Sequence, residues 1–526
     1  INTVDIKNYE SCKNYNNIEE YEIELELQDI GTYANETVLF KMMKKGIQYV
    51  LSGLQNSNFP IKYSLEKDIL NEYLKLTNQK NNTEKRAPYK VNLKHKRYFI
   101  GYNSISLELE NIIPKYKNEI PNINTPYTVT EKADGARRLL YIYKDGNIYL
   151  IDNNMNVTFT GCNIGRSGKE SLINTIIDGE LVTHNIKDEY KPVYLAFDVY
   201  FWNGDDYRNY PFMNISSLKY KDSKDNPVDR NKFRKDTLFA ICKSLDIHNQ
   251  SITDNTLPPM YIKTKEFEDN ITNESIFTAS KKILDKIDNG LFPYETDGLI
   301  YTPIDKSVAS DIIGEHSKQK TWKYSFKWKP AEYNTIDFLV KTHKNTNKSD
   351  IIKYKYNKGI NTKTVSNATQ YKTVDLHIGF SQKHHGFMNP CHHLLEDIIP
   401  KSQSWYEQNK YLPVKFYPTT PSYTWNVHEC RIPLTHIGNS LYMIGEDDNE
   451  IFEDGYVVEF RFDMTKENHW QFIPIRVRHD KTHAYKTGQN KGGGNNYTTA
   501  NSVWRSIHNP ITPEMLENPN KLPDIQ

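Results

Sequence analysis

Cysteine is scarce in this chain. The five present (Cys12, Cys162, Cys242, Cys391 and Cys430) are odd in number and far apart among 526 residues. That argues against a disulfide framework and favours a reducing compartment. Net charge is nearly absent as well: 67 Lys and Arg face 66 Asp and Glu, leaving +1. So balanced a chain cannot coat nucleic acid by bulk charge, and any polyanion must be met by local patches. No apolar run approaches the roughly 20 residues of a membrane helix, so no membrane partner is expected. Ile1 stands first instead of methionine, and a piece of a longer protein is the expectation. What is abundant is tyrosine, at 37 residues, beside frequent Asn, Lys and Ile, a bias that fits an AT-rich genome.

The length suits three or four domains, and 37% hydrophobic residues suffice for several cores. Residues 21–28 (YEIELELQ) alternate strictly, a strand pattern. Glu36 to Leu54 instead carries Val38, Leu39, Met42, Met43, Ile47, Val50 and Leu51 at helical spacing before Gly53. Asn78–Arg86 reads as a loop. From Tyr127 the pattern turns to strands: Arg138–Tyr143 and Asn147–Ile151 flank Asp145-Gly146, a strong hairpin signal. Further strands are expected at Ile176–Val182, Val193–Trp202, Gly298–Thr302 and Trp322–Lys329, and helices near Arg230–Leu245 and Ile276–Ile287. Asn345–Lys363 is polar and irregular, strands resume to about Val477, Lys491–Thr499 reads as flexible, and a short helix starts near Pro513.

Six segments carry chemistry. In Glu131–Arg137 (EKADGAR), Lys132 sits at a strand end beside Asp134-Gly135, with Arg137 behind. Lysine attacks only as the free amine, a form that nearby cations favour; alone, the same residues also fit a surface turn. Asp178-Gly179-Glu180 places Glu180 where it can accept from a ribose or hold a metal-bound water. Phe197, in the aromatic strand Tyr194–Tyr200, can stack on a purine or fill a core. Asp297, in Glu295–Tyr301, opens an apolar strand, and a hard divalent ion on a nucleotide phosphate needs such an oxygen. Trp322–Lys329 (WKYSFKWK) has period two, so Trp322, Tyr324, Phe326 and Trp328 face one side and Lys323, Ser325, Lys327 and Lys329 the other. Such a row of ammonium groups is complementary to phosphates, although lysines also protect edge strands. In Trp470–Thr482, if extended, Arg476, Arg478 and Asp480 share a face suited to a polyphosphate and its metal. The adjacent His384, His385, Cys391, His392 and His393 lack the spacing of a structural zinc site.

In order and spacing these six segments resemble the lysine nucleotidyltransferase superfamily, which comprises mRNA capping guanylyltransferases and ATP-dependent DNA and RNA ligases. The resemblance spans Tyr127–Thr482. Thr296-Asp297-Gly298-Leu299-Ile300, Phe326–Pro330 followed by Thr335-Ile336-Asp337-Phe338, and Arg478-His479-Asp480-Lys481 are similar to motifs of capping enzymes. Tyr127–Arg137, Ile473–Thr482 and Ala500–Thr512 most resemble the multifunctional capping enzymes of large DNA viruses. In Tyr21–Leu27, Glu22, Glu24 and Glu26 share a strand face and resemble a metal-binding glutamate strand of tunnel-type RNA triphosphatases. The earlier glutamate strand that family needs has no counterpart here. Glu108 and Glu110 form another such pair, read as structural. Gly492-Gly493-Gly494 follows no apolar strand and does not match the glycine turn of a methyltransferase.

The resemblance implies an α+β chain. Residues 1–100 would be the C-terminal part of a β-rich triphosphatase-like domain, and 101–335 a nucleotidyltransferase core of antiparallel sheets, of the ligase and capping type and unrelated to ATP-grasp. Residues 336–485 would form an oligonucleotide-binding-fold lid, and 486–526 a segment returning to the core or leading to a methyltransferase domain or subunit. It implies attack by Lys132 on GTP and transfer of GMP to 5′-diphosphate RNA. Lys327 and Lys329 would meet the α-phosphate, and Arg478, Asp480 and Lys481 the leaving pyrophosphate. Arg137 and Glu180 would hold the ribose, Phe197 would stack on guanine, and Glu131 would shape the pocket. Mg²⁺ or Mn²⁺ would bind through Asp297 and Glu180, with Glu22, Glu24 and Glu26 as a second metal set. The implied setting is cytoplasmic or virion-associated. An ATP-dependent ligase and a silent RNA-binding scaffold are the alternatives.

Overall fold

Tyr127–Ala133 and Ala136–Ile142 are consecutive strands that lie in two different sheets. In the computed structural model the chain crosses from one to the other at Asp134-Gly135. The structure describes residues 23–26, 35–77, 93–117, 119–164, 170–215, 221, 232–245, 260–312, 314–356, 368–386, 409–419, 426–447 and 449–523. The first sheet has five strands, ordered Asn103–Ser106, Thr321–Trp328, Thr296–Pro303, Tyr127–Ala133 and Glu268–Asp269. Its neighbours run antiparallel except for the parallel first pair.

The second sheet has seven strands, running Val157–Asn163, Asn147–Ile151, Ala136–Ile142, Thr175–His184, Tyr190–Trp202 and Asp205–Asp206, with Tyr261–Thr264 parallel to Tyr190–Trp202. Gly146 takes φ +78° in the hairpin expected at Asp145-Gly146, a rotation that costs glycine nothing. Helix Ile276–Asp288, capped by Ser275 Oγ on the Thr278 amide, packs Phe277, Ile283 and Leu284 onto the five-stranded sheet.

A third, antiparallel sheet of seven strands follows, built around Thr335–Thr342, Ala368–Phe380, Val457–Phe462 and Phe472–Val477. Phe338, Phe416, Phe460 and Phe472 fill its interior. Helix Tyr497–His508 closes that core with Trp504, whose ring centroid lies 4.9 Å from that of Phe462. The chain then returns to the first sheet, where Ile511 and Leu516 are buried and Trp328 Nε1 donates to the Ile511 carbonyl at 2.8 Å. The α+β class and the antiparallel sheets stand.

Several expectations need correction. The first hundred residues are not β-rich where described: they form helices Glu36–Gln55 and Tyr63–Leu76. The second packs against the second sheet, with Ile69, Leu70 and Tyr73 buried together with Tyr141 and Tyr149. Ile23–Glu26 pair with no strand and are exposed; Leu25 instead lies against Gly46 of the first helix. Asn345–Lys363 contains the strand Ile352–Tyr356. Lys491–Thr499 is not loose, since Gly492, Gly493 and Gly494 are buried where side chains would run into Tyr411, Leu339 and the Asp337 backbone. Glu22, Asn78–Arg86, Cys391, His392 and His393 lie outside the described residues.

Candidate active site

The crossover between the first two sheets creates the site. Lys132 is the penultimate residue of Tyr127–Ala133, and its Nζ donates to Asp297 Oδ1 at 2.6 Å. Asp297 owes its aim to a bulge: Thr296 pairs with Ala133 and Leu299 with Glu131, so one extra residue is squeezed out between them. Gly298 makes this possible, at φ +142° and with no room for a Cβ beside the Trp328 carbonyl oxygen. The other Asp297 oxygen lies 2.5 Å from Lys329 Nζ. Lys327 stands in the same cluster and makes no ion pair among the described residues. Burial, then the charges of Lys132 and Lys329, hold its ammonium below the ordinary lysine range.

The expected lysine row is only partly present. Ser325 is buried, sharing a hydrogen bond of 2.7 Å with Ser104 of the parallel neighbour strand. Lys323 points away, 3.6 Å from Asp311. Two of the three lysines therefore serve the site.

The second sheet supplies the opposite wall. Arg137 and Glu180 are register partners on adjacent strands. Arg137 Nε donates to Asp178 Oδ1 at 3.0 Å, Nη2 reaches Asp178 Oδ2, and Nη1 reaches the Tyr102 carbonyl. Burial opposes its charge, but Asp178 more than offsets this and raises its pKa. With three of five N–H groups engaged, two remain for a ligand. Burial raises the Glu180 carboxyl, opposed by Lys265, Lys132 and Arg137. The half-buried Phe197 ring lies 5.6 Å from the Arg137 guanidinium and 6.0 Å from Lys265 Nζ.

Glu131 does not meet this groove. It is fully buried, accepting from Thr130 at 2.7 Å and Tyr294 at 3.0 Å, with Lys265 Nζ 3.5 Å away. Lys265, itself buried, also donates to the Glu131 carbonyl at 2.8 Å. No local pattern in the sequence marked Lys265 or Tyr294; only the parallel pairing of Tyr261–Thr264 with Val193–Ala196 carries Lys265 to this wall.

The third sheet faces the lysines. The strand expected through Thr482 ends at Val477, and Arg478 precedes a helix over His479–Lys486. The helical turn brings Lys481 back beside Arg478, and both bind the buried Asp337: Arg478 Nη1 at 2.8 Å, Lys481 closer still. The charge of Lys481 is felt at Lys327, so the cation that follows the third sheet and those of the first share one cleft. Arg476 pairs with Glu459 at 2.7 Å. Asp480 is largely exposed, 3.6 Å from Arg478, and does not share an extended face with Arg476. Asp337 lies inside the Thr335–Phe338 segment, where no local pattern foretells which cations a strand aspartate will bind.

Among the described residues no three His, Cys, Asp or Glu side chains gather as a metal site. Glu24 and Glu26 are exposed, and Glu22, the third member of that set, lies outside the described residues. Asp297 and Glu180 do flank Lys132 and offer hard oxygen donors. They fit a divalent ion shared with nucleotide phosphates rather than a protein-only site. No described helix is long and apolar enough to cross a membrane.

Residues 65–331 match the family described as mRNA capping enzyme, catalytic domain. The chain is 28% identical over 533 residues to a protein of Acanthamoeba polyphaga mimivirus described as a probable mRNA-capping enzyme, covering 95% of this chain and 38% of that protein. An mRNA-capping enzyme of African swine fever virus is 24% identical over 393 residues, 74% of this chain and 35% of its own length. The chain thus spans little more than a third of these viral relatives. Among solved structures, the ligase domain of M. tuberculosis LigD aligns over 73% of this chain and 96% of its own at 10% identity, with a TM-score of 0.26, too loose a superposition to carry weight.

Proposed function

The chain belongs to the mRNA capping enzyme family, and on that premise we propose that it is an mRNA guanylyltransferase working through a covalent lysyl-N-GMP intermediate on Lys132. The observation that carries this reading is the convergence of Lys132, Lys327 and Lys329 on Asp297, opposite the Arg137, Glu180 and Phe197 wall.

Lys132 Nζ, once it has shed its proton, attacks the α-phosphorus of GTP. A P–N bond forms, the bridge to the β-phosphate breaks, and pyrophosphate leaves. Lys327 and Lys329 meet the charge that builds on the α-phosphoryl oxygens, while Arg478 and Lys481 meet the pyrophosphate. Phe197 stacks on the base, and Glu180 with the two free N–H groups of Arg137 holds the sugar. Glu131 acts at one remove by fixing Lys265. Asp297 and Glu180 would hold Mg²⁺ or Mn²⁺ together with the nucleotide, and such an ion neutralises phosphate charge when bound. The acceptor is the 5′-diphosphate end of RNA, and the product is a GpppN cap. Splitting one difficult transfer into two easier ones is the benefit of the covalent route.

We assign residues 61–335 to the nucleotidyltransferase domain and 336–485 to an oligonucleotide-binding-fold lid, with 486–523 fastening the two together. A methyltransferase partner and a cytoplasmic or virion-associated setting belong to the same proposal. The test is incubation with α-labelled GTP and a divalent cation. An acid-labile protein adduct, reversed by pyrophosphate and absent in Lys132→Ala, is expected; labelling by ATP but not GTP would overturn the reading in favour of a ligase.

A further inference from the structure

A cavity of about 470 Å³ lies where the five-stranded sheet, the lid sheet and the tail helix meet, within the roughly 300–1,000 Å³ typical of small-ligand pockets. Lys327, Lys329 and Arg478 wall one side, and Tyr116, Tyr333 and Arg505 also line it. Hydroxyl and amide side chains contribute much of the rest, together with the carboxylates Glu108, Glu110, Asp337 and Glu459. It does not include Lys132, Arg137, Glu180 or Phe197, yet it shares Lys327, Lys329 and Arg478 with the groove assigned to GTP, so it adjoins that groove on its phosphate side.

We infer that this cavity receives the 5′ end of the acceptor RNA, with its terminal phosphates at Lys327 and Arg478 and its first base against Tyr333. The inference rests on the guanylyltransferase reading and adds the acceptor's location to it. In the second transfer, an oxygen of the RNA's terminal phosphate forms a bond to the GMP phosphorus. The P–N bond to Lys132 breaks, and its electron pair stays on Nζ, which regains a proton from solvent. In-line displacement at phosphorus places the entering group opposite the leaving one. The RNA phosphate must therefore arrive from the side on which pyrophosphate departed, the side assigned to Arg478 and Lys481. The cavity is the space that adjoins Arg478 there.

Its lining suits that occupant. Lys327 makes no ion pair among the described residues, leaving an ammonium for the entering phosphate. Arg478 and Arg505 are neutralised by Asp337 and Glu108, at 2.8 Å each, so an arriving phosphate exchanges one anion for another. Tyr333 is 53% exposed and lies in the short turn Ala331–Tyr333 between core and lid. A ring so placed offers a stacking face to a single-stranded base of any identity, as an enzyme that accepts varied transcripts requires.

Two separable readouts test the inference. Adduct formation with α-labelled GTP and transfer of the labelled GMP to a 5′-diphosphate RNA oligonucleotide are timed in single turnovers for wild type, Tyr333→Ala, Tyr333→Phe and Tyr116→Ala. Tyr333→Ala should keep adduct formation within twofold of wild type, lose at least tenfold in transfer and raise the RNA concentration needed for half-maximal rate, while Tyr333→Phe restores transfer. Transfer unchanged in Tyr333→Ala overturns the inference and leaves the guanylyltransferase reading intact; a wild type that forms no adduct sinks that reading instead. A wild-type crosslink from RNA bearing 4-thiouridine as its first nucleotide should map to the peptides holding Tyr116 or Tyr333, whatever the variants' folding. Crosslinks confined to other surfaces would also overturn the inference.

Discussion

Asp297 binds Lys132 through one carboxylate oxygen, at 2.6 Å, while its other oxygen stands 2.5 Å from Lys329. One side chain therefore fixes the spacing between the proposed nucleophile and a cation meant to meet the phosphate it attacks. The pairing is partly shielded, with Asp297 only 13% exposed at its side chain.

Asp297→Asn keeps the shape but removes the charge, so the two ammonium groups lose their common anchor. Adduct formation should fall by about 10²-fold, the scale of losing one preorganised electrostatic contact, with the fold retained by circular dichroism. Labelling rates within threefold of wild type would show that this carboxylate does not organise the site.

Gly298→Ala attacks the same arrangement through the backbone. The residue sits at φ +142°, and a Cβ would run into the Trp328 carbonyl oxygen. The two strands must part or the bulge must unwind, at a cost on the order of 1–3 kcal/mol. A lower urea midpoint together with lost labelling is expected; an unchanged midpoint would mean that the bulge tolerates a side chain.

Much of this architecture was legible in the residues, and the failures have a common cause. The Asp145-Gly146 hairpin and the helix at Ile276–Asp288 follow from turn chemistry and local periodicity, and each formed where its pattern lay. Lys132, Asp297, Lys327 and Lys329 were found because each sits in a short motif. What local pattern cannot carry is long-range partnership. Ser325 looked exposed until Ser104, 221 positions away, covered it. Glu131 looked like a pocket residue until Lys265 and Tyr294 took up its carboxylate. Arg478–Lys481 looked extended because a strand led into it, yet the helix beginning at His479 places Lys481 on Asp337.

The third sheet and the loops packed on it should carry their own acid sensitivity. His428 is buried with Nδ1 unpartnered, and its pKa is brought from 6.5 to about 4 by burial first and then by Lys415, against the pull of Asp375 and Glu429. Between those values the unfolded chain binds a proton that the folded chain refuses, so stability falls as pH drops through this window. The loss approaches about 3 kcal/mol at its lower end. Urea midpoints at pH 7 and pH 4.5 should differ less in His428→Leu than in wild type; equal differences would locate the acid sensitivity elsewhere.

Asp337 offers the sharpest test of the lid's part in chemistry. It is buried and holds both Arg478 and Lys481, the two cations assigned to the pyrophosphate. If they are held ready for that charge, their placement matters equally for its departure and its return, because both directions cross one transition state. Asp337→Asn should therefore slow adduct formation from GTP and adduct reversal by pyrophosphate by a similar factor, roughly 10–100-fold. Transfer to RNA should slow as well, since the acceptor phosphate arrives on the same side. Arg478→Lys keeps the charge but gives up the planar guanidinium whose Nη1 reaches both Asp337 oxygens, and should fall between wild type and Asp337→Asn. A variant that formed the adduct at the wild-type rate yet resisted pyrophosphate would break this symmetry and place the cations outside the shared transition state.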